Sequence, residues 1–173
     1  MRTVSRRAIL GASFLLAFEP ISAANAQPSL NALAGLLIDI PGWQAEKPNT
    51  MNATQGGITV SYAARQYEQG EKQIMTMLGR SGLEQQIPAV TGNRQDDFSM
   101  NTDGVSVRLR TLRGFRVVTV YETESKGGMV LVYLGANTAT TFVLQFDGIT
   151  LDEALAHSQR FDWTAMQRTL GGR

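Results

Sequence analysis

From Ile58 onward, apolar and polar residues alternate with a period of two in a series of short runs separated by tight polar turns. No other feature of the chain constrains its fold as much. Val60, Tyr62 and Ala64 alternate with Thr59, Ser61, Ala63 and Arg65, the pattern of a strand with one face buried. Gln69-Gly70-Glu71 turns the chain, and Gln73 to Leu78 returns with Ile74, Thr76 and Leu78 on one side, which predicts a β-hairpin. Further strands are expected over about Val105 to Leu112, Val117 to Glu122, Met129 to Leu134 and Thr140 to Phe146. In the last of these Phe142, Leu144 and Phe146 share a face. The short polar turns Arg113-Gly114, Ser125-Lys126-Gly127-Gly128 and Gly135-Ala136-Asn137 separate neighbouring strands, so the pairing is most simply antiparallel.

The flanks of this region change period. Ser29 is placed to cap a short helix in which Leu30, Leu33 and Leu36 or Leu37 recur at helical spacing. Pro41-Gly42-Trp43 ends that element in a turn, and the polar stretch Gln44 to Gly57 reads as a loop. Leu83 to Ile87 fits a single helical turn stopped by Pro88. After Gly148 the helical period returns. Thr150 with Glu153 forms a capping box in sequence, ahead of a face made by Leu151, Leu155 and Ser158 with Ala154 beside it. Asp162 caps a second short helix carrying Trp163, Met166 and Leu170. The expected architecture is α+β: an antiparallel sheet packed by a short N-terminal helix and by C-terminal helices.

Residues 1–26 carry a different signal. Arg2, Arg6 and Arg7 precede the apolar run Ala8 to Phe18, and Ala24-Asn25-Ala26 supplies small residues for cleavage after Ala26, the order of a secretory signal peptide. The apolar run has 11 residues, well short of the ~20 that span a bilayer as a helix. Ser5-Arg6-Arg7-Ala8-Ile9-Leu10 matches a twin-arginine export motif, although Gly11 stands where a lysine is frequent, and the general secretory route is the alternative. Cleavage leaves 147 of the 173 residues as one domain, residues 27–173, with 13 basic and 14 acidic side chains out of 16 and 15 in the whole chain. Such balance argues against a nucleic-acid partner, which needs a concentrated basic surface, and the cleaved domain is expected to carry no membrane anchor. With no cysteine, the chain has no disulfide, no thiolate metal site and no lipid-attachment residue. The expected location is the periplasm or the exterior of a bacterium.

Gly42-Trp43, then Gly56-Gly57-Ile58-Thr59-Val60-Ser61, then the strand end Arg65-Gln66-Tyr67 follow one another as in a group of exported bacterial proteins of unknown function. Taken with the leading helix, meandering sheet and closing helix, the chain resembles proteins with the PsbP-like fold. That resemblance implies an α/β/α sandwich and an accessory or binding role rather than catalysis. It carries over no functional residue, because no catalytic motif is matched.

Four groups of side chains are candidates for chemistry. Arg108 and Arg110 share a strand face, with Arg113 and Arg116 at the following turn, and forked guanidiniums at that spacing suit a carboxylate or phosphate. The alternative is a solvated row that keeps the sheet soluble. Six of the seven methionines follow the leader, and Met75 and Met77 place two soft thioethers on one strand face. Thioethers suit Cu(I), although methionine is also an adaptable core filler. Glu122 and Glu124 would share a strand face and could act as paired carboxylates in a small hydrolase or lyase; solvated sheet surface and helix capping are the better-supported account of these and of Asp96-Asp97 and Asp152-Glu153. His157, the single histidine, is expected to be a solvated helix residue. Gly-x-Ser-x-Gly, Walker and dinucleotide-binding loops are absent. The reading with most support is a non-enzymatic exported domain without a cofactor, whose sheet face or helix–sheet groove binds a protein partner or small ligand.

Overall fold

The computed structural model describes residues 29–55, 58–80, 98–135 and 140–171. The leader with Arg6, Arg7 and Ala26, the Gly56-Gly57 pair, the expected turn at Leu83 to Ile87 and the acidic pair Asp96-Asp97 lie outside these residues.

The chain forms helix α1 (Leu30–Ala34), strands β1 (Gln44–Ala45), β2 (Asn49–Gln55), β3 (Ile58–Gln69), β4 (Lys72–Arg80), β5 (Phe98–Thr102), β6 (Val105–Leu112), β7 (Phe115–Glu122), β8 (Gly127–Tyr133) and β9 (Thr140–Asp147), then helices α2 (Leu151–Ser158) and α3 (Trp163–Thr169). Every strand pairing is antiparallel. The order across the sheet is β1-β3-β4-β9-β8-β7-β6-β5, with β2 also along the free edge of β3. The sheet and its flanking helices make an α+β domain. All three helices pack on one face of the sheet, joined in one apolar cluster, so among the described residues there is no helical layer on the other face.

Local chemistry explains the elements. The Ser29 hydroxyl accepts from the Ala32 amide at 3.2 Å and starts α1. In α2 the capping box closes in both directions, with Glu153 Oε2 2.9 Å from the Thr150 amide and Thr150 Oγ1 3.3 Å from the Glu153 amide. Asp162 Oδ1 accepts from the Ala165 amide at 2.9 Å to open α3. Each such cap is worth about 1 kcal/mol, which matters for helices of only five to eight residues, too short to persist without packing.

The core between sheet and helices holds Tyr67, Leu78, Phe142 and Leu144 from the strands against Leu33, Phe161, Trp163 and Met166, all fully buried. Ile74, Thr76 and Leu78 do share the buried face of β4, as their alternation predicts. Two expectations are corrected. Within Gln44 to Gly57, β1 and β2 replace the expected loop. Both lie along an edge of the sheet, where polar side chains are compatible with strand pairing. In β3 the face turned to the helices carries Ala63, Arg65 and Tyr67, not Val60, Tyr62 and Ala64. Arg65 is tolerated there because each nitrogen of its guanidinium has an acceptor: it donates to the carbonyls of Glu46 at 2.8 Å and Leu37 at 2.6 Å, and pairs with Asp39. The Tyr67 hydroxyl donates to the Ile38 carbonyl at 2.8 Å, and burial raises its pKa above the ordinary tyrosine value. These two side chains fasten the linker after α1 to the sheet.

Candidate functional site

Strand β6 sorts its side chains by parity. Val107 and Leu109 face the side without described helices, while Ser106, Arg108 and Arg110 face the helical side. The helices lie mainly over β3, β4, β9 and β8, and Phe115 and Val117 of β7 join their apolar cluster, so it is the helical side of β5 and β6 that continues past their cover. There the backbone register brings Ser106 opposite Tyr121, Arg108 opposite Thr119 and Arg110 opposite Val117.

An open recess of about 320 Å³ lies on this strip, lined by Asn101, Ser106, Arg108, Tyr121 and Thr123 with the Gly104-Val105 backbone. Its aromatic wall is fixed from behind. Tyr121 stacks on Phe146 with ring centroids 6.2 Å apart and planes at 22°. The residue between them in the sheet is Gly128, where a Cβ would come within 2.9 Å of the Phe146 ring and 2.1 Å of the Val120 carbonyl oxygen. Glycine at this position is what lets the two rings meet.

The polar groups of the strip are underused. Among the described residues Arg108 and Arg110 make neither an ion pair nor a hydrogen bond, and Arg108 is exposed. Arg110 Nε is buried without a partner, as is the hydroxyl of Thr119, a residue only 1% exposed. A buried donor left unpaired costs about 1–3 kcal/mol. Two such groups lie beside the Arg108 guanidinium, which is the exposed one of the three.

Of the four arginines expected to cluster, the fold brings two together. Arg113 leaves the strip: Nη1 donates to the Gln159 carbonyl at 2.9 Å and the guanidinium lies 5.1 Å from the Trp163 ring centre. A cation at the C-terminal end of α2 complements that helix's orphan carbonyls, so Arg113 has a structural post. Arg116 sits on the opposite face, 5.8 Å from the Tyr133 ring centre. Alternation separates it from Arg108 and Arg110, because the turn at Arg113-Gly114 reverses the chain.

The other candidates fare differently. Glu122 ends β7, whereas Glu124 lies in the following turn, so the two do not share a strand face. Both are exposed, and Glu122 accepts from the Ser125 hydroxyl at 2.8 Å. Asp152 and Glu153 occupy the first turn of α2. The Thr150 amide and hydroxyl hold the Glu153 carboxyl below its ordinary pKa, with Lys72 Nζ 3.9 Å away. His157 is not the solvated residue expected. It is half-buried, edge-on to Trp43 at 5.5 Å, with Nδ1 unpartnered, and burial followed by the charge of Arg160 lowers its pKa below 6.5. Met75 and Met77 do share a face, the one without described helices.

A second open recess, of about 230 Å³, lies at the end of the β3–β4 hairpin and is lined by Tyr67, Glu68, Met75, Phe146 and Asp147 among others, without a cationic side chain. Among the described residues no group of three or more histidine, cysteine or acidic side chains is arranged to hold a metal ion, and no helix is long and apolar enough to cross a membrane.

Sequence reasoning missed Tyr121, Thr119, Ser106 and Asn101. Ser106 was accessible from its parity with Arg108. Tyr121 and Thr119 required the β6–β7 register, and Asn101 lies on β5, a strand too polar to declare itself.

No family model matches the chain, and no curated protein matches it. Among solved structures, it is similar to a GTP-binding regulator from Thermotoga maritima at a TM-score of 0.28 and 8% identity, over 82% of this chain and 87% of that one.

Proposed function

We propose that this protein is an exported, non-enzymatic binding domain that holds a small oxyanion, a carboxylate or phosphate group, in the recess lined by Arg108, with Arg110 next to it on the same strand face. One observation carries the reading: the exposed, unpaired Arg108 guanidinium lines the recess, and two polar groups that lack partners, Arg110 Nε and Thr119 Oγ1, are buried beside it in the sheet. Carboxylate and phosphate oxygens are matched to the arginine fork. Tyr121 offers a flat apolar wall for whatever carries the anion, and Ser106 and Asn101 offer neutral hydrogen bonds. The arginine-led apolar run and small-residue site of residues 1–26 support export.

The test is an NMR titration of the arginine and backbone signals with inorganic phosphate and, separately, with a dicarboxylate such as succinate. Saturable shifts centred on Arg108, Ser106 and Tyr121 support the reading, and the tighter probe identifies the anion. Charge-assisted hydrogen bonds contribute about 1.5–3 kcal/mol each, so Arg108→Gln should weaken binding by roughly 10- to 100-fold. Shifts spread over all surface arginines, or none at millimolar probe, overturn it. Intact mass of protein recovered from the cell envelope tests export: a species retaining the leader contradicts cleavage.

A further inference from the structure

Strand register gathers the methionines onto one side of the molecule. Met75 on β4 pairs with Gln145 on β9, which pairs with Met129 on β8. Met77 lies two residues from Met75 on the same strand face and pairs with Val143, which pairs with Leu131. Met75 and Met77 on β4 therefore face Met129 and Leu131 on β8 across β9, where the exposed Gln145 and the buried Val143 lie between them. Strands stand ~4.8 Å apart, so Met75 and Met129 are about 10 Å apart at the backbone, with Met77 about 7 Å from Met75. Met77 and Met129 are the diagonal pair, about 12 Å apart, a span that two flexible thioether side chains leaning inward can bridge through a shared ion.

All three side chains are half-buried, and Met77 and Met129 pack on the apolar cluster of that face. The other methionines differ. Met51 is exposed at the sheet edge and accepts from the Tyr62 hydroxyl at 3.1 Å; Met100 is exposed on β5, three strands from Met129; Met166 is buried in the core beneath the helices.

We propose that Met75, Met77 and Met129 form a binding site for a soft monovalent cation of the Cu(I) class, independent of the anion recess on the other face. Uncharged sulfur donors select Cu(I) or Ag(I) over Zn(II), Mg(II) and Ca(II), which take imidazole, thiolate or oxygen. Thioethers carry no proton to lose, so affinity is flat with pH, unlike a site built from histidine or cysteine. Val143 is buried beneath the group, and the exposed Gln145, in register between Met75 and Met129, brings an amide oxygen as a further neutral donor.

The test titrates Ag(I), then Cu(I) under reducing conditions, into protein with 13C-labelled methionine methyl groups. The expected result is one equivalent bound, with large shifts of three methyl signals, those of Met75, Met77 and Met129, and little change at Met51, Met100 and Met166. Affinity should be unchanged between pH 5.5 and 7.5. Replacing the three by leucine, a volume-conserving change, should weaken binding by at least ~100-fold, and Met100→Leu should leave it intact. Equal shifts at Met51 and Met100, affinity that falls with acid, or binding weaker than ~10 μM overturns the proposal. The methyl map of the unaltered protein decides the question even if the triple variant does not fold.

Discussion

The two faces of the sheet solve the burial problem differently. On the helical face the strands contribute aromatic and branched side chains, and α1, α2 and α3 answer with Leu33, Leu155 and Trp163 in one continuous cluster. The opposite face holds a smaller cluster of Leu109, Val118, Leu131, Tyr133 and Val143, ringed by Met77, Phe98, Val107, Val120 and Met129. Rings and branched carbons have few rotamers and suit a closed interior. Methionines have many rotamers and suit a surface that must adapt. The helical face thus reads as the structural side over most of its width, yet its uncovered strip carries the unpaired arginines. The other face is the softer one, and its pliable margin carries the thioethers.

The largest effect expected on this comparison comes from Gly128, where the two ring systems of the helical face touch. Gly128→Val drives a branched side chain toward the Val120 carbonyl oxygen and the Phe146 ring, and should cost ~3 kcal/mol or more. Chemical denaturation measures it. A loss below about 1 kcal/mol would mean that the Tyr121–Phe146 stack does not depend on the glycine.

Paired truncations come next. Leu144 on the helical face and Leu131 on the other are both fully buried. Leu144→Ala should cost about 3–4 kcal/mol and Leu131→Ala about 2–3 kcal/mol. Equal costs would erase the distinction between a tight and a pliable side. A cost below ~1 kcal/mol at Leu131 would show that its face is open to water in solution.

Much of this arrangement was legible in the residues alone, and the limits have physical causes. Alternation in β4 and β9 placed Ile74, Leu78, Phe142 and Leu144 because each strand is strongly apolar on one side. The caps at Ser29, Thr150 and Asp162 are local and so are written locally. β2 and β5 were missed because edge strands are stabilised by one neighbour and tolerate polar faces. The phase of β3 was misread because Arg65 faces inward, its charge answered by carbonyls at Leu37 and Glu46 that are distant in sequence. For the same reason the arginine group split in two: parity sends Arg108 and Arg110 to one side, while Arg116 follows a turn that reverses the strand. The pairing of Met75 with Met129 through Gln145 is likewise a matter of register between strands more than fifty residues apart in the chain, which periodicity cannot supply.

His157 offers a smaller, pH-dependent probe of the helical layer. It faces Trp43 edge-on, with Glu153, Arg160 and Lys72 as its charged neighbours. Its folded pKa is depressed, chiefly by burial, so the unfolded chain binds this proton more readily. Stability is therefore full above the ordinary imidazole value of 6.5, falls as pH drops through that value, and levels off below the folded pKa. Denaturation at a series of pH values should show this decline, smaller than either leucine truncation. As the chain has a single histidine, His157→Gln should remove it and leave only the carboxylate region below about 4.5, where Glu153 loses its own cap-derived contribution. A decline that survives the substitution would place the responsible group elsewhere.

The smallest effect carries the sharpest distinction between a structural and a binding arginine. Arg113 is engaged with Gln159 and Trp163, whereas Arg110 has no described partner and one buried nitrogen without a hydrogen bond. Replacing both partners of a buried polar contact by apolar groups is close to neutral, and the partner of Arg110 Nε is already missing. Arg110→Met keeps the packing of the alkyl stem and removes the orphan, so stability should stay within about 0.5 kcal/mol of the parent or rise slightly. Arg113→Met should lose about 1 kcal/mol through the helix end and the ring contact. Denaturation of the two variants side by side reads the difference. If Arg110→Met were the more destabilising, Arg110 would be serving the fold, and the open strip of the helical face would lose its claim to be kept for a ligand.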